Sequence, residues 1–256
     1  MNSSNCFREI WCADFEFRAD PGEHPQIVCM VAQEVKTGHV IRLWRNGLIA
    51  LNRAPFDVGP DALFVAYFSS AELGCFLELG WPLPENVADL YVEHRVETNG
   101  ERTICNDSLL GALALRGLGH MDAGEKDEMR RLILDHQDWN DDQKRKILAY
   151  CESDVIGTVA LFSRMAPSID WPRALLRGRY MKAVARMERT GIPIDTDCYS
   201  QLVANWDRLK EDLIAAVDAD YGVYEGATFK ANRFRGVFVA SRHSMAKISQ
   251  WGVEAR

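Results

Sequence analysis

Two carboxylates stand two residues apart in Trp11-Cys12-Ala13-Asp14-Phe15-Glu16-Phe17. In an extended strand the side chains alternate between faces, so Asp14 and Glu16 project from one side and Phe15 from the other. Carboxylates held side by side repel unless a cation lies between them, and an oxygen-rich site of this kind suits Mg²⁺ or Mn²⁺. The same spacing also fits a strand with one solvated face. A second pair, Tyr150 and Asp154, is four residues apart in an apolar-periodic run and therefore shares one helix face. Asp154 could join Asp14 and Glu16 on a metal, and the Tyr150 phenol one turn away could orient a water. Alone, this pair also reads as an interfacial tyrosine beside a solvated aspartate.

Such a site needs strands and a helix to bring its parts together. Residues 10–17, 27–34 and 40–44 are apolar or alternating runs separated by Asp20-Pro21-Gly22 and Thr37-Gly38, which predicts three strands joined by tight turns. A fourth strand is predicted over 62–66. Leu73, Phe76, Leu77 and Leu79 then recur at helical spacing until Gly80-Trp81-Pro82-Leu83-Pro84, and 87–92 reads as a further strand. Asp107 or Ser108 can cap a helix carrying Leu109, Leu110, Leu113 and Leu115. A polar helix follows over about 125–136, and Asn140 or Asp141 can cap a longer one carrying Ile147, Cys151, Val155 and Phe162. The sum is a mixed α/β domain spanning 1–165, with its boundary at Met165-Ala166-Pro167-Ser168. Beyond it, 166–256 reads as a small helical module, with helices over 171–190 and 197–221 and no strand signal before Gly236-Val237-Phe238-Val239. The last thirty residues are locally basic through Lys230, Arg233, Arg235, Arg242 and Lys247, a surface segment or the edge of a larger protein.

Composition narrows the classes. The 256 residues are 47% hydrophobic and 26% charged, as in ordinary globular domains. No run approaches the length of a membrane helix, and Met1-Asn2-Ser3-Ser4-Asn5 lacks the features of a signal peptide, so a cytoplasmic setting without a membrane partner is expected. The 7 Cys are scattered and never form a CxxC pair, which argues against a zinc site or a disulfide framework. A net charge of -7 disfavours a protein that coats nucleic acid with a basic surface, but suits a cleft made acidic to hold metal ions.

With these motifs, the chain resembles the 3'-5' exonucleases of the DnaQ-like (DEDD) superfamily over roughly residues 8–165. The likeness is strongest to the proofreading domain of family A, DNA polymerase I-like, polymerases. The first family motif, DxE after an apolar strand, is matched by Asp14 and Glu16, and the third, YxxxD, by Tyr150 and Asp154, which implies the tyrosine subclass. The second motif departs. Where the family reads apolar-Ala-His-Asn-x-x-Phe-Asp, this chain has Val65-Ala66-Tyr67-Phe68-Ser69-Ser70-Ala71-Glu72, so Glu72 stands in place of an aspartate. Ser69 followed by Glu72 is also a capping-box pattern, an alternative use for that carboxylate.

The resemblance implies a ribonuclease H-like mixed sheet flanked by helices, and a segment 166–256 similar to the connection between exonuclease and polymerase domains. It implies two divalent ions, Mg²⁺ or Mn²⁺, held by Asp14, Glu16, Glu72 and Asp154, with Tyr150 positioning the attacking water. The implied substrate is a single-stranded or frayed 3' end of DNA, released as 5'-mononucleotides, with a polymerase domain in cis or in trans as a further partner and a bacterial or phage-like setting. Phe15, Phe17 and Phe68 are candidates to stack on terminal bases or are core residues, Lys126 and Arg130 meet phosphates or belong to a solvated charged face with Glu125 and Asp127, and Asp89 supports the site or is a satisfied strand-end carboxylate. His120 is a reserve candidate only. The rival expectations are an exoribonuclease on the same fold and an inactive nuclease-like module that binds DNA without cutting it.

Overall fold

The computed structural model describes residues 7–20, 22–99, 105–119, 123–237 and 239. His120, Phe238, Arg242 and Lys247 lie outside the described residues, as do the side chains of Ala123 and Glu125. The chain runs β1 (Glu9–Arg18), β2 (Gln26–Glu34), β3 (Val40–Trp44), α1 (Arg45–Ile49), β4 (Ala62–Ala66), α2 (Ser69–Glu78), β5 (Asn86–Asp89), α3 (Leu90–Thr98), α4 (Leu109–Leu115), α5 (Ala123–Leu134), α6 (Asp141–Met165) and α7 (Trp171–Thr190). These are followed by α8 (Thr196–Tyr221), β6 (Tyr224–Glu225) and β7 (Thr228–Phe229).

Five strands form one sheet in the order β3-β2-β1-β4-β5. Short turns allow β1, β2 and β3 to pair antiparallel, whereas β1 with β4 and β4 with β5 are parallel and need longer crossovers. This is a ribonuclease H-like α/β sheet, central on β1 and covered on both faces. Ile10, Cys12, Val31, Leu63 and Val65 pack with Ile147, Cys151, Val155 and Leu161 of α6 on one face. Trp11, Ala13, Phe15, Met30 and Phe64 pack with Leu73 and Phe76 of α2 and with Met181 and Ala185 of α7 on the other. The alternation along β1 therefore sorts its side chains between two cores.

Three local departures from the sequence reading have identifiable causes. The segment 87–92 is strand only to Asp89, because the Asp89 carboxylate accepts from the Val92 N–H at 3.0 Å and starts α3 there. The five-residue helix α1 carries too short a pattern to show periodicity. Residues 231–237 are helical, so Gly236 and Val237 do not begin a strand; the strands of this part are the two-residue β6 and β7, turned at Gly226 with φ 57°.

The division of the chain into compact units falls between Ile192 and Pro193. In the first unit α7 lies so close to β5 that a Cβ at Gly178 would meet the Val87 carbonyl oxygen at 1.9 Å. Arg177 clasps buried Glu93 of α3 at 2.7 and 2.6 Å. Those contacts place 171–190 with the sheet, beyond the expected boundary near 165. The second unit holds α8, started by Asp195 accepting from Cys198 N–H and ended at left-handed Gly222, and the β6–β7 hairpin. Among the described residues no helix is long and apolar enough to cross a membrane.

Candidate active site

Asp14 and Glu16 leave β1 on the α6 face, where Phe15 cannot follow; its ring is 4% exposed and packs edge-on to Phe76. A bulge follows at once, since Glu16 pairs with Cys29 but Phe17 with Ile27. Bulges turn a strand end and re-aim its side chains, here beside the carboxylate pair. From α6, Cys151 meets β1 directly: its Sγ donates to the Asp14 carbonyl at 3.3 Å and to Oδ2 at 3.5 Å. Asp14, Glu16 and Cys151 each offer a ligand atom, and these atoms lie within 4.8 Å of one another.

Asp154 follows one helical turn after Tyr150, as its spacing predicts, and both are buried. Lys126 of α5 donates to both Asp154 carboxylate oxygens, at 3.0 and 2.7 Å, and its ammonium stands 5.6 Å from the Tyr150 ring centre. The intervening Glu152 is drawn away from the site by a two-point pair with Arg42 on β3. Glu16, Phe17, Lys126, Arg130 and Tyr150 line one cavity of about 400 Å³.

Glu72 enters from α2. The capping box is not formed: Phe68 is the N-cap, without a side-chain cap bond, and the Ser69 hydroxyl donates instead to Asp89 Oδ2 at 2.7 Å. Glu72 is 4% exposed, and its Oε2 is buried without a hydrogen-bond partner among the described residues. Asp89 has its oxygens taken up by Ser69 and by the N–H of Val92. It holds helix starts together. Phe68 adopts a left-handed φ of 69°, costly for a residue with a Cβ, and its ring is 45% exposed. Tyr67 donates its hydroxyl to the Asp107 carbonyl.

The electrostatics show that these carboxylates sense one another. Burial pushes the Asp14 carboxyl up to about 8, with Asp154 adding to the effect while Cys151 and Lys126 oppose it. Burial and then Asp14 raise Glu16 well above the usual carboxylate range, and the same two causes raise Glu72. Burial, followed by Asp154, Glu16 and Asp14, raises the Tyr150 phenol, so it stays protonated at neutral pH. The fold thus gathers Asp14, Glu16, Glu72, Tyr150 and Asp154 into one neighbourhood. Cys151 is the member that sequence reasoning passed over; its signal was its place three residues before Asp154, on the same helical face.

No family model matches the sequence, and no curated protein matches it. Among solved structures, the apo form of a nuclease shares 14% identity at a TM-score of 0.51, over 74% of this chain and 88% of that one. Escherichia coli RNase D, an exoribonuclease involved in structured RNA processing, shares 19% identity at a TM-score of 0.48, over 80% of this chain and 52% of that one. The Aedes aegypti Nibbler EXO domain shares 12% at 0.39, over 69% of this chain and 88% of that one. At such identities the likeness to the first nuclease establishes a shared fold and leaves the reaction to be argued from the site. The two weaker overlays add nothing to it.

Proposed function

We propose that the chain is a metal-dependent 3'-5' exonuclease of the DEDD type, tyrosine subclass, acting on single-stranded or frayed 3' ends of DNA. The observation that carries this reading is the convergence of four carboxylates from three elements, two on β1 and one each on α2 and α6, with the Glu72 Oε2 buried and without a partner among the described residues. Carboxylates gathered at a half-buried to buried place, with the proton affinity of Asp14, Glu16 and Glu72 raised, are poorly stable as anions alone, and their oxygen donors fit hard divalent ions of the Mg²⁺ or Mn²⁺ class. Asp14, Glu16, Glu72 and Asp154 would hold two such ions. When bound, the ions supply stabilisation of the charge on the attacking and leaving oxygens of the phosphodiester.

The remaining tasks fall to side chains. Tyr150, protonated, serves as a hydrogen-bond partner that orients the attacking water and is unsuited to be a strong base. Arg130, on the rim of the cavity, is placed for a phosphate, and Phe17 and Phe68, unlike the buried Phe15, remain near the surface for stacking on bases. In an acidic chain these local cations and the metals must supply the grip, so nucleic-acid binding should weaken as salt rises. Within this reading the segment 166–256 resembles the linker to a polymerase domain.

The test uses single strands labelled at the 5' end, with free or blocked 3' ends, in Mg²⁺, Mn²⁺ or chelator, with matched RNA strands alongside. Stepwise shortening of free DNA 3' ends alone, abolished by chelator and by Asp14→Ala, supports the reading. Shortening of RNA in preference to DNA would reassign the substrate. Binding without any cleavage in either metal would favour the inactive module.

A further inference from the structure

The two Asp154 oxygens are both engaged by the Lys126 ammonium, in a pair of which the aspartate is only 12% and the lysine 28% exposed. Among the described residues no other Lys or Arg pairs with Asp14, Glu16, Glu72 or Asp154. Lys126 therefore supplies the one positive charge built into the cluster, and it lowers the proton affinity of Asp14 and Glu16 as well. Its placement is not incidental to a mobile surface chain: on the same helix Ile133 is 2% exposed in the core and Met129 packs against it, which fixes the face that Lys126 presents. The ammonium also lies over the Tyr150 ring, a second attraction to the same place.

An ammonium held across both oxygens of one carboxylate takes up lone pairs that a divalent ion would use and repels the ion as it approaches. We infer that Lys126 is a built-in competitor of the divalent ion at Asp154, an internal counter-ion that must leave this carboxylate before the ion can take it. The inference rests on the proposed metal site. It makes a cost of metal entry out of a contact that otherwise reads as an ordinary ion pair. Once displaced, the ammonium stays on the wall of the cavity shared with Arg130 and Tyr150, where a phosphate is its natural partner. Lys126 is thus a positioning residue whose charge is passed from the carboxylate to the substrate.

The experiment is Mn²⁺ binding to the full chain without nucleic acid, followed by calorimetry and by the free-Mn²⁺ electron paramagnetic signal. The chains compared are the unmodified one, Lys126→Met, Lys126→Gln, Lys126→Arg and Arg130→Met. Lys126→Met and Lys126→Gln should bind Mn²⁺ roughly five- to tenfold more tightly, the order expected when a partly buried pair no longer has to be broken. Lys126→Arg should stay near the unmodified chain, and so should Arg130→Met, which removes a charge from the same cavity without freeing Asp154. Unchanged or weaker Mn²⁺ binding in both neutral Lys126 variants, beside normal exonuclease activity of the unmodified chain, overturns the inference and leaves the proposed function standing. Equal tightening in Arg130→Met overturns it too, since general charge would then explain the effect. No Mn²⁺ binding by any of the chains removes the inference and the metal site together. Thermal melting of each variant with and without Mn²⁺ reports folding and gives a second measure of the affinity order.

Discussion

Cys151 and Asp14 touch across the junction of helix and sheet, with the Cys151 Sγ 3.3 Å from the Asp14 carbonyl oxygen and 3.5 Å from its Oδ2. The thiol is itself held protonated, first by burial, and so acts as a donor to the carboxylate. Replacing Cys151 with alanine deletes a bond that favours the Asp14 anion. The Asp14 carboxyl should then titrate above about 8 in chelator, and a carbon-detected NMR titration of the aspartates checks this.

The same carboxylates set a pH dependence of stability. Asp14 has an ordinary value of 3.8 and is raised to about 8 in the fold, and Glu16 and Glu72 are raised in the same direction. Between those limits the folded chain binds more protons than the unfolded one, so the slope of stability with pH is negative. The contribution is fully present below the unfolded value and is lost as pH rises through about 8. His94, lowered by burial and Arg116, works in the opposite direction on the acid side. The clean measurement is therefore a difference: in chelator, calorimetric melting of Asp14→Asn relative to the unmodified chain should gain from pH 4 toward about pH 8. Added Mg²⁺ or Mn²⁺ should raise the melting temperature of the unmodified chain most at the alkaline end.

Glu72 separates a ligand from a helix-closing residue. Glu72→Gln keeps the shape, removes the ionisable carboxyl and should lose more than about 100-fold in nucleotide release while melting no lower in chelator. Glu72→Asp keeps a carboxylate on a shorter arm and should retain more activity than the glutamine variant. A drop in stability with normal turnover would assign Glu72 to architecture instead.

Arg177 and Glu93 form a two-point pair in which Glu93 is only 4% exposed on its side chain. Arg177→Met strands that carboxylate, and breaking such a pair from one side costs about 3 kcal/mol. Urea unfolding should show that loss, whereas Arg173→Met, at an exposed pair with Asp170, should change stability by less than about 1 kcal/mol.

Much of this architecture was legible in period and punctuation. The bounds of β3, β4 and α7 coincide with the runs at 40–44, 62–66 and 171–190, because alternating or continuous apolar residues there end at strong turn signals. The faces of Asp14 and Glu16 followed from a period of two, and the shared turn of Tyr150 and Asp154 from the helical repeat. What spacing could not show is what distant segments do to each other. Asp89 looks like a strand residue until Ser69 and Val92 are placed around it. Lys126 reads as one charge on a polar helix until Asp154 lies against it, and Ser69 and Glu72 form a capping pattern that the neighbouring Asp89 pre-empts.

That last arrangement has a mechanical side. Asp89 is 1% exposed and grips Ser69, the first residue of α2, through its backbone N–H at 2.8 Å and its hydroxyl at 2.7 Å, while the other oxygen holds Val92 in α3. Two helices leaving adjacent parallel strands are thereby pinned to a single buried atom pair. Glu72 sits one turn along the first of them, at the end of a short lever whose fulcrum belongs to another strand. The starts of α2 and α3 thus share one anchor, and the place of Glu72 along α2 depends on a carboxylate that belongs to β5.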